Sequence, residues 1–194
     1  MSDGPPEKAE RRSAMLQALR AMRPEDREAA SKRVRDRLDE SPEVRETPYL
    51  LAFASLGTEP DITPLLDRLR DSGRRILLPR AGNEPGSLEA VALKQPIHEL
   101  EKDDLGVRVP SGGEPVPLER ITTVLVPGVM FDTWGKRLGR GGGYYDRLLE
   151  QLPQAALIGV CFDASVQEDE VPTEAHDQRV DAIVTDLRTI DCAG

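Results

Sequence analysis

The strongest constraint on this chain is a strand–turn–helix pattern in its second half. Ile121 to Val126 is a β-branched run suited to a buried strand. Pro127 to Gly143 holds six glycines, so its backbone can turn sharply and lie close to a ligand. Tyr144 to Leu152 is apolar on one side and free of breakers, which predicts a helix. A glycine-rich turn feeding a helix N-terminus offers unpaired N–H groups and the positive end of a helix dipole, and such a place holds anions, phosphate above all. Arg137 and Arg140 lie inside the turn, where guanidinium forks can grip phosphate or carboxylate. Three consecutive glycines cost chain entropy, so ligand binding explains them better than a solvated loop does.

The turn fits neither common nucleotide fingerprint. A P-loop needs a Lys-Ser or Lys-Thr pair after its last glycine, and none is here. A dinucleotide fingerprint starting at Gly139 and Gly141 would put its third glycine on Tyr144.

The rest of the pattern is α/β. Glu7 to Met22 reads as a helix with Met15, Leu19 and Met22 on one stripe, and the same steps backwards reach Arg12 and Lys8. Cations near a helix start oppose the dipole. Either an anion sits against that face, or the two side chains snorkel at the core edge. A second helix starts at Pro24, carries Ala30, Val34 and Leu38 inward, and ends at Ser41-Pro42. Pro48 to Ser55 reads as a buried strand, Thr63 to Gly73 as a helix, and Arg75 to Leu78 as a strand stopped by Pro79. With a right-handed crossover this is a βαβ unit. Ligands gather beyond strand C-terminal ends in such sheets, and the loop Leu56 to Asp61 holds Glu59 there. Position alone favours a solvated carboxylate over one that orients a substrate.

After a turn at Ala81 to Ser87, Leu88 to Leu93 reads as a strand. Residues 94–120 are rich in Pro, Gly and charge, as suits a mobile flap, and His98 there suits a surface contact. Strands are expected at Ala155 to Phe162 and Val180 to Thr185, with an acidic loop at 163–179 between them and a fraying tail after them. Residues 1–6 are expected to be disordered and 7–190 to form a single α/β domain. It would be three-layered, with a mainly parallel central sheet and helices on both faces.

A net charge of −9 works against general nucleic-acid binding. The acidity concentrates late: residues 163–191 carry nine Asp or Glu against Arg179 and Arg188, a solvated face or a source of oxygen ligands for a hard cation. No apolar run reaches membrane-spanning length, and the N-terminus lacks the apolar core of a signal peptide. Cys161 and Cys192 suggest neither a metal cluster nor a disulfide framework, so the expected location is cytoplasmic and the expected state a monomer without membrane or nucleic-acid partners.

From Phe131-Asp132 through Arg137-Leu138-Gly139-Arg140-Gly141-Gly142-Gly143-Tyr144-Tyr145-Asp146 the chain resembles the 5-formyltetrahydrofolate cyclo-ligases, or methenyltetrahydrofolate synthetases. Further marks are Lys8 and Arg12, Phe53 to Glu59, and His176-Asp177; the resemblance spans about residues 8–186. It implies a sheet similar to that of sugar-phosphate isomerases and CoA transferases. It implies a ligase that uses ATP and Mg²⁺ to close 5-formyltetrahydrofolate to 5,10-methenyltetrahydrofolate, by phosphorylation of the formyl oxygen and attack by N10.

Residue by residue, it implies ATP contacts at Lys8, Arg12, Arg137, Leu138, Gly139, Arg140, Gly141, Gly142, Gly143, Tyr144 and Tyr145. It implies folate contacts at Ala54, Glu59, Arg140 and Tyr144, Mg²⁺ ligands at Asp146 and Asp177, and catalytic roles for Arg140 and Tyr144. The chain departs from some members at Gly142, where they carry Lys, and at Val109-Pro110, where Glu-Pro is common. Two other readings remain: a sugar-phosphate isomerase, which would centre on an acid/base carboxylate and need no ATP, and a nucleotide- or folate-binding protein without turnover. Intact Arg140, Tyr144 and Asp146 argue against the last.

Overall fold

The structure, a computed structural model, describes residues 6–104, 106–173 and 177–192. Residues 1–5, His176 and the last two residues of the expected fraying tail lie outside the described residues.

The elements run in chain order as helices α1 (Pro6–Arg20), α2 (Pro24–Glu40) and α3 (Pro42–Glu46), strand β1 (Tyr49–Leu51), helix α4 (Thr63–Asp71), and strands β2 (Arg75–Ala81) and β3 (Leu88–Ala92). Strands β4 (Glu101–Lys102), β5 (Arg108–Val109), β6 (Thr123–Pro127), β7 (Met130–Asp132) and β8 (Arg137–Leu138) follow, then helix α5 (Tyr144–Leu149). Strands β9 (Ala156–Val160), β10 (Val166–Gln167), β11 (Ala182–Val184) and β12 (Thr189–Asp191) complete the chain. The main sheet has the order β12-β11-β9-β6-β1-β2-β3, with only the two edge strands antiparallel. β1, α4 and β2 form the expected βαβ unit.

Strand residues alternate between two cores, as a period of two requires. Leu50, Ala52, Ile76, Leu78, Leu125 and Ile158 face Val34 and Leu38 of α2 and Leu65, Leu66 and Leu69 of α4. Leu51, Leu77, Val124, Val126, Leu157 and Ile183 face Leu148 and Leu149 of α5. Helices therefore cover both faces of a mainly parallel sheet. Helix α4 ends as expected at Gly73: at φ +88° its N–H reaches Arg70 O, and Arg74 N–H reaches Leu69 O.

Four expectations about elements are corrected. Pro79 does not stop β2, which runs on to pair with β3 as far as Ala81–Leu88. Leu77 O accepts from Ala52 N on the β1 side, so Pro79 turns its nitrogen to that side, beyond the end of β1, where no ladder bond is lost. The glycine turn is not loop throughout: β7 and β8 form a hairpin within it, and β10 adds in parallel to β7. That hairpin turns at Gly135, φ +82°, where a Cβ would strike Val180 O. Helix α5 stops at Leu149 rather than Leu152. The strand at Ala182–Val184 is not the last, because Thr189–Asp191 returns antiparallel along it instead of fraying.

Candidate functional site

Beyond the C-terminal ends of β1 and β6 lies a cavity of about 440 Å³. Phe53, Ala54, Leu56 and Glu59 line it from the β1 loop, and Pro79, Ala81 and Leu88 from the β2–β3 hairpin. Arg137, Gly139, Arg140, Gly142, Gly143, Tyr144, Tyr145 and Asp146 line it from the glycine-rich turn and α5. Two stretches about 80 residues apart in sequence meet here because parallel β1 and β6 are neighbours whose C-terminal ends point the same way.

Of three cation–carboxylate pairs here, Arg137–Asp146 and Arg140–Glu59 line the cavity and Lys8–Asp177 lies outside its lining. Lys8 is buried, and its Nζ lies 3.0 Å from Asp177 Oδ2. Arg137 is buried, and its Nη2 donates to Asp146 Oδ1 at 2.6 Å while Nη1 donates to Pro127 O at 3.3 Å. Its Nε, also buried, has no hydrogen-bond partner among the described residues. Arg140 donates from Nε and Nη2 to Glu59 Oε1, each at 3.2 Å, and from Nη2 to Thr58 Oγ1 at 2.7 Å. The chain carries Lys8 and Arg12 to this turn by docking α1 on it. Arg12 Nε donates to Gly139 O at 2.8 Å, and its guanidinium lies against Gly141. Gln178 N donates to Asp146 Oδ1 at 3.3 Å, which brings the residue next to Asp177 onto α5.

Glu59 corrects the expectation of a solvated carboxylate: it is only 8% exposed. Burial pushes its carboxyl above the ordinary range, opposed by the Leu56 N–H at 2.8 Å and by Arg140. Tyr145 is half-buried beside Arg137 and Glu59, and its buried hydroxyl has no hydrogen-bond partner among the described residues. Burial raises that phenol, and the Glu59 charge raises it further, so it stays protonated. Its ring lies 5.9 Å from the Arg137 guanidinium carbon. Leu138 packs away from the cavity against Val129, Met130 and Val171, so its own link to the site is through its place in β8.

The anion-holding capacity expected from a helix dipole is smaller than the sequence suggests. Helix α5 has six residues, fewer than two turns, so its dipole is short. The surrounding cations carry more of that charge.

Arg147 escaped the sequence reading. Its Nε donates to Gly86 O at 2.9 Å, its Nη2 donates to Gly142 O at 3.0 Å, and its guanidinium carbon lies 5.3 Å from the Tyr144 ring centre. One side chain thus ties the β2–β3 turn, the glycine turn and Tyr144 together. It also brings a cation to Gly142. The signal available was its position one residue after Asp146, which alone does not distinguish it from a solvated helix arginine. Asp132 escaped it too, as a site-supporting residue. Fully buried, it accepts from Trp134 N, Lys136 N and Val171 N, and so fastens the β7–β8 hairpin to the acidic loop.

Comparison with known proteins agrees with this architecture. The profile of the 5-formyltetrahydrofolate cyclo-ligase family matches residues 5–186. A 5-formyltetrahydrofolate cyclo-ligase of Escherichia coli (strain K12) is 32% identical, across 87% of this chain and 94% of that protein. One from Mycolicibacterium smegmatis is also 32% identical, across 96% and 97%. The solution structure of the Aquifex aeolicus 5,10-methenyltetrahydrofolate synthetase superposes with a TM-score of 0.84 at 29% identity, covering 96% of this chain and 93% of that one.

Proposed function

Because the chain belongs to the 5-formyltetrahydrofolate cyclo-ligase family, we propose that the cavity converts 5-formyltetrahydrofolate to 5,10-methenyltetrahydrofolate at the expense of ATP. The observation that carries this reading is the meeting of Arg12, Arg137 and Arg140 at one glycine-rich turn, beside a hollow that begins at Ala54 and Glu59. Phosphoryl transfer needs positioning and charge neutralisation more than a protein nucleophile, and these residues offer both.

In this reading Lys8, Arg12 and Arg137 hold the ATP phosphates, with the backbone of Leu138 to Gly143 close around them. Tyr144 and Tyr145 pack against nucleotide and folate. Arg140 stands between the two substrates and neutralises the phosphoryl group as it moves to the formyl oxygen. N10 then attacks the formyl carbon, loses its proton, and phosphate departs with the former formyl oxygen. Glu59 and the backbone at Ala54 orient the pterin.

A magnesium ion fits the same place. Asp146 lines the cavity and accepts its hydrogen bonds among the described residues through Oδ1, while Asp177, outside the lining, is next to Gln178, whose N–H reaches Asp146. No group of three or more His, Cys, Asp or Glu converges among the described residues. Mg²⁺ needs only one or two protein carboxylates when phosphate oxygens supply others, and it would offset phosphate charge there. Lys8, Arg137 and Arg140 are each held by a carboxylate in the free protein. Substrate binding would exchange partners, with phosphate replacing carboxylate on Lys8 and Arg137.

The chain acts as a cytoplasmic monomer in this proposal; among the described residues no helix is long and apolar enough to cross a membrane. The test is to incubate the protein with 5-formyltetrahydrofolate, ATP and Mg²⁺ and follow methenyl absorbance in the near ultraviolet. ATP-dependent growth of that band is expected, and folded protein that gives none refutes the reading.

A further inference from the structure

Arg147 is exposed on α5, just outside the lining of the cavity, and holds backbone rather than a carboxylate. Its Nε and Nη2 share one edge of the guanidinium and project parallel N–H groups. One reaches Gly86 O at 2.9 Å and the other Gly142 O at 3.0 Å, so carbonyls from two distant segments face the same cation. Carbonyl oxygens set side by side repel unless a positive charge lies between them. Among the described residues no other hydrogen bond joins residues 82–87 to residues 139–144. The guanidinium also lies over Tyr144, 5.3 Å from the ring centre. The backbone is glycine wherever this side chain and that ring need room. At Gly86, φ +82°, a Cβ would stand 2.6 Å from Arg147 Nη2, and at Gly143, φ +62°, 3.0 Å from Nη1. At Gly142 it would stand 2.5 Å from Tyr144 Cδ2. The segments so joined are walls of the cavity: Gly142, Gly143 and Tyr144 on one side, and on another Ala81 and Leu88, which flank the turn at Gly86.

We propose that Arg147 is a positioning residue, a clamp that holds the β2–β3 turn, the glycine turn and the Tyr144 ring in the one arrangement that both substrates bind. This rests on the cyclo-ligase reading, in which ATP and the folate share the cavity. Arg147 acts through Gly142 and Tyr144, since it does not itself line the cavity. Consecutive glycines leave a turn many other conformations, and the clamp removes them before a substrate arrives. Without it only a fraction of the molecules has both walls in place, and apparent affinity falls by that fraction. Either substrate, once bound, selects the competent arrangement and leaves it ready for the other. Loss of the clamp therefore makes ATP and the folate help each other bind, by the same factor in both directions, where the parent has both walls set beforehand.

The experiment is calorimetric titration of the parent, Arg147→Ala and Arg147→Lys with two ligands, a non-hydrolysable ATP analogue with Mg²⁺ and 5-formyltetrahydrofolate. Each ligand is titrated alone and with the other saturating. Arg147→Ala should weaken each ligand alone about tenfold, the scale of a contact made by a charged group. Saturation with the other ligand should bring the affinity back to within about twofold of the parent's. The Arg147→Lys ammonium can still lie between the two carbonyls but cannot lie flat on the ring, so that variant should lose less. It carries the same comparison if the alanine variant does not fold. An equal loss with and without the other ligand would mean that the cavity has merely been deformed, and unchanged affinities would mean that the clamp holds nothing in place; each result overturns the proposal. Recovery that depends on the second ligand, with a parent that does not cyclise, would refute the activity and uphold the clamp. A parent that cyclises, with a variant that shows no such recovery, would refute the clamp alone.

Discussion

Asp132 offers the sharpest energetic test of how the site is held. Its carboxylate is fully buried, with Oδ1 accepting Trp134 N at 3.0 Å and Lys136 N at 2.9 Å, and Oδ2 accepting Val171 N at 2.9 Å. Asp132→Ala removes all three acceptors. Val171 is 1% exposed, so its N–H finds no water and bears the full desolvation cost, about 1–3 kcal/mol. The Trp134 and Lys136 N–H groups lie in a surface turn where water can replace the carboxylate, so each costs about 0.5–1 kcal/mol. The sum is about 2–5 kcal/mol, a large part of the ~5–15 kcal/mol typical of a folded protein. With a urea slope of about 2 kcal/mol per molar, the unfolding midpoint should fall by about 1–2.5 M. Asp132→Asn keeps an oxygen for the hairpin turn but sets an amide donor against Val171 N–H, so its midpoint should lie between the two. Urea titrations followed by circular dichroism measure both. An alanine variant within about 0.3 M of the parent, or an asparagine variant below it, would show that these bonds do not fasten the hairpin to the acidic loop.

The remaining predictions concern the site itself. Arg140→Ala should lower turnover by roughly one or more orders of magnitude, as loss of a contact to moving charge does, and parent-like kcat would contradict that role. Asp146→Asn should raise the Mg²⁺ concentration needed for half-maximal activity; an unchanged metal titration would remove it as a ligand. Glu59→Gln tests the burial of that carboxyl. Its pKa in the folded protein lies above the ordinary 4.5, so the folded state holds the proton more tightly than the unfolded one, and Glu59 costs stability as pH rises through the folded pKa. The melting temperature of Glu59→Gln relative to the parent should therefore climb as the pH rises above about 4.5, and a flat or falling difference would count against it.

Much of this protein was legible without coordinates because the signals are local. The apolar strand runs, the period-four stripe of α2, the Pro at helix starts and Gly73 at a helix end depend on neighbours in sequence, and they appear in the structure close to where they were read. Lys8 and Arg12 on the inward face of α1 were visible for the same reason, since helical periodicity alone puts them there. The glycine turn announced a close approach of backbone to something, and the motif around it identified the family.

What the tertiary structure decided are pairings between distant segments, which carry no local signal. Local sequence presents Glu59 as one more loop acid; only the parallel neighbours β1 and β6 deliver it to Arg140 and bury it. Pro79 looks like a strand stop until it is known that β1 has ended on its nitrogen's side. The β7–β8 hairpin is hidden by glycines that suit loops equally well, and it is held by Asp132 reaching Val171, which lies 39 residues on.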